Sequence, residues 1–400
     1  MKNHRFPRAL PPLLLLLAAC AEPGGPGGAT LAIRNGRLFD GSGEPVIEDA
    51  VVVVRGDRVV AAGAASEVEI PAGTRVLDAG GGLILPGVID NHVHLNLLLE
   101  KEKDPLTRWL RAGVTTLVDC GSPRGGVARL RERAARASGH APRLLVAGPI
   151  FTAPKGYPAL PGETEGDALA ERVTSPEEAE RKVDALLGAE GADLVKVAIE
   201  TGFASDYDDP GGWPVPGRPV LAALARAAHR NGRTIRAHVT QPGELEAALE
   251  TGFDATAHTP IADVPESLLV RAARAGMIFT TTANLWAEDP AATAAAQRNL
   301  TRYVRLGGRI ALGTDVPFQP GSAMPVAEMR RLVEGGLTPR EVLLAATSHG
   351  AHAVGRGKDL GTLAPGFLAD LIVVAGDPLV RIGDMGRVRV VVRGGEVIVP

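Results

Sequence analysis

From Thr30 onward the chain alternates short apolar runs with turn residues, and the character of that alternation changes twice. Up to about Gly80 the runs are strand-like and closely spaced. Ile33-Arg34-Asn35-Gly36-Arg37-Leu38 fits two strands joined by a two-residue turn, and so does the run from Val51 to Val60 through Gly56-Asp57. Asn, Gly and Asp supply the positive φ that such turns require. The far end has the same style, with a strand at Ala369-Asp370-Leu371-Ile372-Val373-Val374 and a hairpin from Arg389 to Ile398 through Gly394-Gly395. Neither end carries enough strands to bury a core alone. The pattern therefore predicts one small β-sandwich domain built from residues 30–82 and 359–400 together.

Between these ends the rhythm becomes apolar strand followed by Ala/Arg/Glu-rich helix. Eight strand candidates stand at about 84–94, 114–120, 143–150, 192–199, 234–239, 254–258, 277–282 and 309–315. Helical stretches follow most of them, clearest at Glu177–Ala189, Val220–Asn231, Gly243–Thr251 and Thr293–Leu306. The helix at Glu177 follows Ser175-Pro176, an N-cap residue and a proline suited to the first helical turn. Such alternation means a mostly parallel sheet flanked by helices, and eight units over residues 83–358 predict an α/β fold of the (β/α)8 TIM-barrel type. A doubly wound open sheet is the alternative, but no Gly-rich dinucleotide fingerprint follows the first strand. Two long Gly/Pro-rich loops, about 151–175 and 201–219, would hang over the catalytic face of a barrel.

The first residues follow neither pattern. Lys2, Arg5 and Arg8 precede a short apolar run that closes on Leu17-Ala18-Ala19-Cys20. A basic stretch, an apolar stretch and small residues in that order read as a secretory signal over residues 1–19. The ending resembles the lipobox of bacterial lipoproteins, in which Cys20 would be lipidated and become the mature N-terminus. A plain signal peptide cut nearby is the other reading. Residues 20–29, rich in Gly and Pro, then form a flexible tether. The expectation is an exported protein on the periplasmic or cell-surface side, held to a membrane only through a lipid at Cys20.

Composition narrows the remaining classes. Hydrophobic residues make up 45% and charged residues 22% of the 400, which excludes intrinsic disorder. A net charge of −3, made more negative by loss of the leader, argues against a nucleic-acid partner. Two cysteines cannot build a disulfide framework, and Cys120, in an apolar run, reads as a buried thiol. No stretch of 18 apolar residues marks a membrane span.

The chemistry sits at strand ends. Asp90-Asn91-His92-Val93-His94 closes the first strand, and residues two apart on a strand face the same way, so His92 and His94 project together. Paired imidazoles suit a divalent metal. His238 closes the fifth strand, His258 the sixth and Asp315 the eighth, each at the end where barrels keep their chemistry. Lys196 interrupts Asp193-Leu194-Val195-Lys196-Val197-Ala198-Ile199, in a chain with 7 Lys against 36 Arg. A lysine buried there has a depressed pKa. It either snorkels from the strand end or, once neutral, adds CO2 to give a carbamate bridging two metals. The carbamate offsets the charge of two dications, to which an ammonium would add.

Together these residues are similar to the amidohydrolase superfamily. Leu85-Pro86-Gly87-Val88-Ile89-Asp90-Asn91-His92-Val93-His94 resembles its first-strand signature, and Gly113-Val114-Thr115-Thr116-Leu117-Val118-Asp119 its second strand. The run from Gly361 to Val374 is similar to the segment that returns to its β-sandwich, so the likeness spans about residues 31–400. The resemblance implies that His92 and His94 bind a more buried metal, that the Lys196 carbamate bridges, and that His238 and His258 bind a second metal. Asp315 would bind the buried metal and shuttle the proton. Zinc is the first expectation from imidazole and carboxylate ligands, with manganese, cobalt or iron also compatible. The chain most resembles the imidazolonepropionase-like branch, which includes metal-dependent dipeptidases. It departs from that branch at Glu200-Thr201-Gly202-Phe203, where a glycine pair is common, and at Ala257-His258-Thr259, where Glu-His-Gly is common.

The implied activity is hydrolysis of an amide or other C–N bond in a small-molecule substrate, such as a dipeptide or an N-acyl amino acid. The competing readings are a hydrolase of a lactone, cyclic imide or phosphotriester on the same metals, and a non-catalytic ligand-binding lipoprotein. Tyr157, Trp213 and Trp286 fall in loops over the expected mouth, as lining or as plain packing. His140, His229, His349 and His352 fall at or within helical stretches and take no role in this reading.

Overall fold

Strands from both chain ends pair into one sheet. In a computed structural model that describes residues 30–101, 104–137, 139–158, 169–202, 212–318 and 323–398, the order across this sheet is Glu396–Ile398, Val388–Arg393, Leu371–Val374, Leu83–Pro86, Leu31–Leu38, Ile47–Arg55 and Arg58–Ala64. Arg75–Asp78 pairs beside Leu31–Leu38. Alternate residues Ile33, Val52, Val54, Ile84, Leu371, Val373 and Val392 point into a shared, fully buried core. Burial of these side chains from both ends joins the termini, as the pattern of half-buried strands requires. The leader over residues 1–19, Cys20 and the tether over 20–29 lie outside the described residues.

The hairpins through Gly56-Asp57 and Gly394-Gly395 form as expected. The one through Asn35-Gly36 does not, because Leu31–Leu38 is a single strand. Asn35 takes φ +59, and the pairing with Ile47–Arg55 shifts between Ile33 and Gly36, which makes the pair a bulge. The expected strand over 84–94 is also two strands. Leu83–Pro86 belongs to the terminal sheet and Val88–Val93 to the barrel. They part at Gly87, where a Cβ would overlap the side chain of Thr115.

The barrel strands run Val88–Val93, Val114–Asp119, Arg143–Val146 continued by Ile150–Thr152, Val195–Ala198, Ile235–His238, Ala255–Thr256, Ile278–Thr280 and Arg309–Ala311. Neighbours pair in parallel from Val195–Ala198 through Arg309–Ala311 and among the first three. Asp193 N donates to Val146 O at 2.8 Å, and Asn91 N to Leu312 O at 2.8 Å, closing the cylinder at both seams. The chain thus forms a (β/α)8 barrel with a β domain from both ends. The flanking helices start where their caps dictate. Ser175 Oγ accepts from Glu178 N ahead of Pro176–Gly188, and Asp289 accepts from Ala291 N and Ala292 N ahead of Pro290–Arg305. Gln241 and Glu244 form a reciprocal cap on Pro242–Glu250. Arg218–Arg230 completes the helices expected from the pattern. No helix among the described residues is long and apolar enough to cross a membrane.

Candidate metal centre

The first strand supplies two imidazoles on one face, both buried. His92 Nδ1 lies 2.6 Å from the carbonyl of Ala257. A carbonyl only accepts, so the proton sits on Nδ1 and the lone pair of Nε2 faces inward. Asp315 Oδ1 lies 3.3 Å from His92 Nε2 and 3.1 Å from His94 Nε2. The aspartate reaches this point through a left-handed turn at φ +61, with its N–H bonded to His92 O at 2.7 Å. Asp90 accepts from Thr314 N at 3.1 Å and Thr314 Oγ1 at 2.7 Å, stitching the first strand to the eighth just beneath.

The fifth and sixth strands bring two more imidazoles alongside. The His238 and His258 rings lie 4.4 Å apart, with His258 Nε2 3.1 Å from His238 Nδ1. His258 is in turn 4.6 Å, ring to ring, from His92, and its Nδ1 meets Thr282 Oγ1 at 2.9 Å. Lys196 is 1% exposed and interacts electrostatically with Asp315 and with the three histidines His92, His238 and His258. Its strand pairs with Ile235–His238, Ala198 lying opposite His238.

Burial sets the protonation states. It pushes His92, His238 and His258 well below the ordinary imidazole value, with Lys196 adding to the effect on each, so all three are neutral donors. Burial also brings Lys196 down to about 8, which leaves part of it an uncharged amine near neutral pH. For Asp315 burial acts upward, but the adjacent His94 imidazole and its neighbours prevail and hold the carboxyl at about 2. The result is an anion beside the neutral rings of His92, His238 and His258.

This donor set fits a divalent cation. His92, His94 and Asp315 present ligand atoms that all lie within 4.8 Å of one another. His92 Nε2 and Asp315 Oδ1 are buried and have no hydrogen-bond partner of good geometry. The His92 Nε2 lone pair and a carboxylate oxygen repel each other unless a positive charge lies between them.

The six residues singled out from the strand ends, His92, His94, Lys196, His238, His258 and Asp315, therefore share one end of the barrel. Tyr157 also comes to the site, its ring 4.7 Å from His238 and 5.2 Å from Trp213. Trp286 packs instead against Ile261, Ala292 and Ala296. Phe318, more than half exposed, sets its edge against His94 at 5.1 Å. His140 and His352 are exposed, as is His229, which pairs with Asp254 at 3.0 Å. Cys120 is a buried free thiol, as expected. Sequence reasoning missed Glu200, whose Oε2 lies 3.2 Å from His238 Nε2, and Thr282. The signal for Glu200 was its place in the sequence, an acidic residue two positions beyond the end of the strand Val195–Ala198 that carries Lys196.

A closed parallel barrel with imidazoles and a carboxylate gathered at one end defines the class: a barrel protein built to hold divalent metal where chemistry is done. The family profile described as the amidohydrolase family matches residues 83–398, and the chain belongs to that family. Membership places it among hydrolases acting on carbon–nitrogen bonds. Among curated relatives, an imidazolonepropionase of Streptomyces griseus is 29% identical over 376 residues, covering 86% of this chain and 90% of the relative. One from Streptomyces avermitilis is 30% identical over 369 residues, covering 84% of each. Among solved structures, a Xaa-Pro dipeptidase with bound methionine in its active site superposes with TM-score 0.80 at 20% identity, covering 92% of this chain and all of that one. The ochratoxinase of A. niger superposes with TM-score 0.78 at 21% identity, covering 92% and 96%.

Proposed function

We propose that this protein hydrolyses an amide bond in a dipeptide-like or N-acyl amino-acid-like substrate, using two divalent ions, zinc in the first instance. His92, His94 and Asp315 would hold one ion, His238 and His258 the other, and a carbamate on Lys196 would bridge them. The single observation carrying this reading is the convergence of neutral imidazoles, an ionised aspartate and a buried lysine with a depressed pKa. When bound, such ions make water a nucleophile near neutral pH and polarise the scissile carbonyl.

The chain's own residues supply the rest. Lys196 Nζ, as the uncharged amine, would bond to the carbon of CO2 and release one proton to solvent, turning a neutral buried group into an anion. Asp315, ionised at any working pH, accepts the proton of the attacking water at its carboxylate and returns it to the departing nitrogen. His92 does not compete for that proton, because burial holds its imidazole well below the ordinary value. We also propose export and anchoring through Cys20.

The test is metal per chain in protein purified without chelator, followed by a screen of dipeptides and N-acyl amino acids beside lactones, cyclic imides and phosphotriesters. Two ions per chain and turnover confined to amides are expected, and Lys196→Ala should lose both turnover and metal. Full activity and full metal content in Lys196→Ala would rule out the carbamate.

A further inference from the structure

The four imidazoles of the candidate centre form a row. Ring centroids step from His94 to His92 at 5.3 Å, on to His258 at 4.6 Å and on to His238 at 4.4 Å. An aromatic ring stands at each end, and the two are held differently. At the His238 end, Tyr157 packs against a second ring, that of the buried Trp213. The residue before it is Gly156, where a Cβ would overlap Thr152 Oγ1 and the carbonyl of Pro214. That end is a finished wall.

At the His94 end, Phe318 sets its edge on the imidazole at 5.1 Å and is 57% exposed. The other exposed large apolar side chains among the described residues are Val76, within a strand of the terminal sheet, and Val380, between two of its strands. Phe318 differs from both in lying against the candidate centre. Its backbone is also fixed. Phe318 N donates to Asp315 O at 3.0 Å and His94 N donates to Val316 O at 2.8 Å, so bonds on either side of Pro317 tie this turn to Asp315 and to the strand end at His94. A ring fixed in place with its surface open, beside a site of chemistry, is preorganised for an apolar group to cover it.

The part of the substrate that covers it follows from Asp315. To return a proton, the carboxylate must come within about 3 Å of the departing nitrogen. Asp315 Oδ1 lies 3.1 Å from His94 Nε2, and Phe318 borders that same imidazole. A side chain on the carbon next to the departing nitrogen is then near the Phe318 ring, whereas a side chain on the acyl part starts one bond farther away, across the scissile carbon. We infer that Phe318 is a specificity-determining residue for the leaving amine, and that the preferred substrates are amides whose departing amine carries an apolar or aromatic side chain. The inference rests on the amide reading above, with Asp315 as proton carrier, and adds to it the side of the scissile bond that is selected.

The experiment compares the reversed dipeptides Gly-Phe and Phe-Gly with Gly-Gly, and N-acetylphenylalanine with N-acetylglycine, on the full chain supplied with zinc. Covering one face of the ring is worth about tenfold. Wild type should therefore cleave Gly-Phe with kcat/KM about tenfold above both Gly-Gly and Phe-Gly, and N-acetylphenylalanine should exceed N-acetylglycine by the same factor. Phe318→Ala should bring these ratios close to one, with the loss in KM and the metal per chain unaltered, and Phe318→Leu, which keeps an apolar surface, should retain most of the preference. Equal rates on the matched pairs in wild type, a wild-type preference for Phe-Gly, or a Gly-Phe preference that survives in Phe318→Ala overturns the inference and leaves the amide reading standing. Absence of wild-type turnover on every amide of the screen described above overturns both, and that failure is distinguishable because it appears without any substitution.

Discussion

Asp315 occupies a left-handed backbone conformation that costs most residues energy, and it is held there by its N–H bond to His92 O. Its side chain is thereby aimed at His92 and His94 while staying ionised. Asp315→Asn keeps the shape and removes the base. The expected result is a folded protein with kcat lowered about 10²–10⁴-fold, read by steady-state kinetics with a thermal melt as the folding control. A far smaller loss would remove Asp315 from proton transfer. A second residue governs acid sensitivity away from the site. Burial pushes His349 down to about 4, and Arg309 and His352 nearby add to this. Its folded pKa lies below the ordinary 6.5, so its contribution is fully present above pH 6.5 and is lost as pH falls through 4. The loss is on the order of 2 kcal/mol once partial exposure is discounted. Urea midpoints measured from pH 7 to pH 4 should fall less steeply for His349→Gln than for wild type; parallel curves would refute the assignment.

At the scale of elements, the junction at Gly87 couples the two domains. Gly87 N donates to Asp370 O at 2.9 Å in the terminal sheet, and Val88 N donates to Gly113 O at 3.0 Å in the barrel. Gly87→Ala would drive a methyl group into Thr115, a stiff β-branched neighbour, and should destabilise the fold by about 1–3 kcal/mol. The melting temperature should drop by several degrees, and an unchanged melt would show that the strands can part there. The strand–helix alternation was legible because each element declares its own period and its own caps, as Ser175-Pro176 does. The break at Gly87 was not, because an apolar run reads the same whether it serves one sheet or two. The bulge at Asn35-Gly36 was missed for a related reason: positive φ marks a turn and a bulge alike, and only pairing with Ile47–Arg55 tells them apart.

For the molecule as a whole, the candidate centre gathers side chains from five barrel strands, so a bound ion ties those strands together. Chelation should abolish turnover and lower thermal stability, by about 2.7 kcal/mol per ion that had been present at a hundred times its dissociation constant. Readdition of zinc should restore both; a melt indifferent to chelator would mean the strands hold their places unaided. The residues that gather there could be read from sequence because strand periodicity places His92 with His94 and because a lone lysine in an apolar run is conspicuous. Thr282 could not, since its part is defined only by its 2.9 Å approach to His258 from beyond the end of the next barrel strand.

The pairing of Leu83–Pro86 with Leu371–Val374 has a consequence for synthesis. The segment that leads directly into His92 and His94 gains its neighbour on one side only when nearly the whole polypeptide has left the ribosome. A nascent chain arrested before residue 371 has all six site residues already translated but cannot complete the sheet that anchors the strand carrying the first two. Competence to hold metal should therefore arrive late and abruptly, on release of the finished chain.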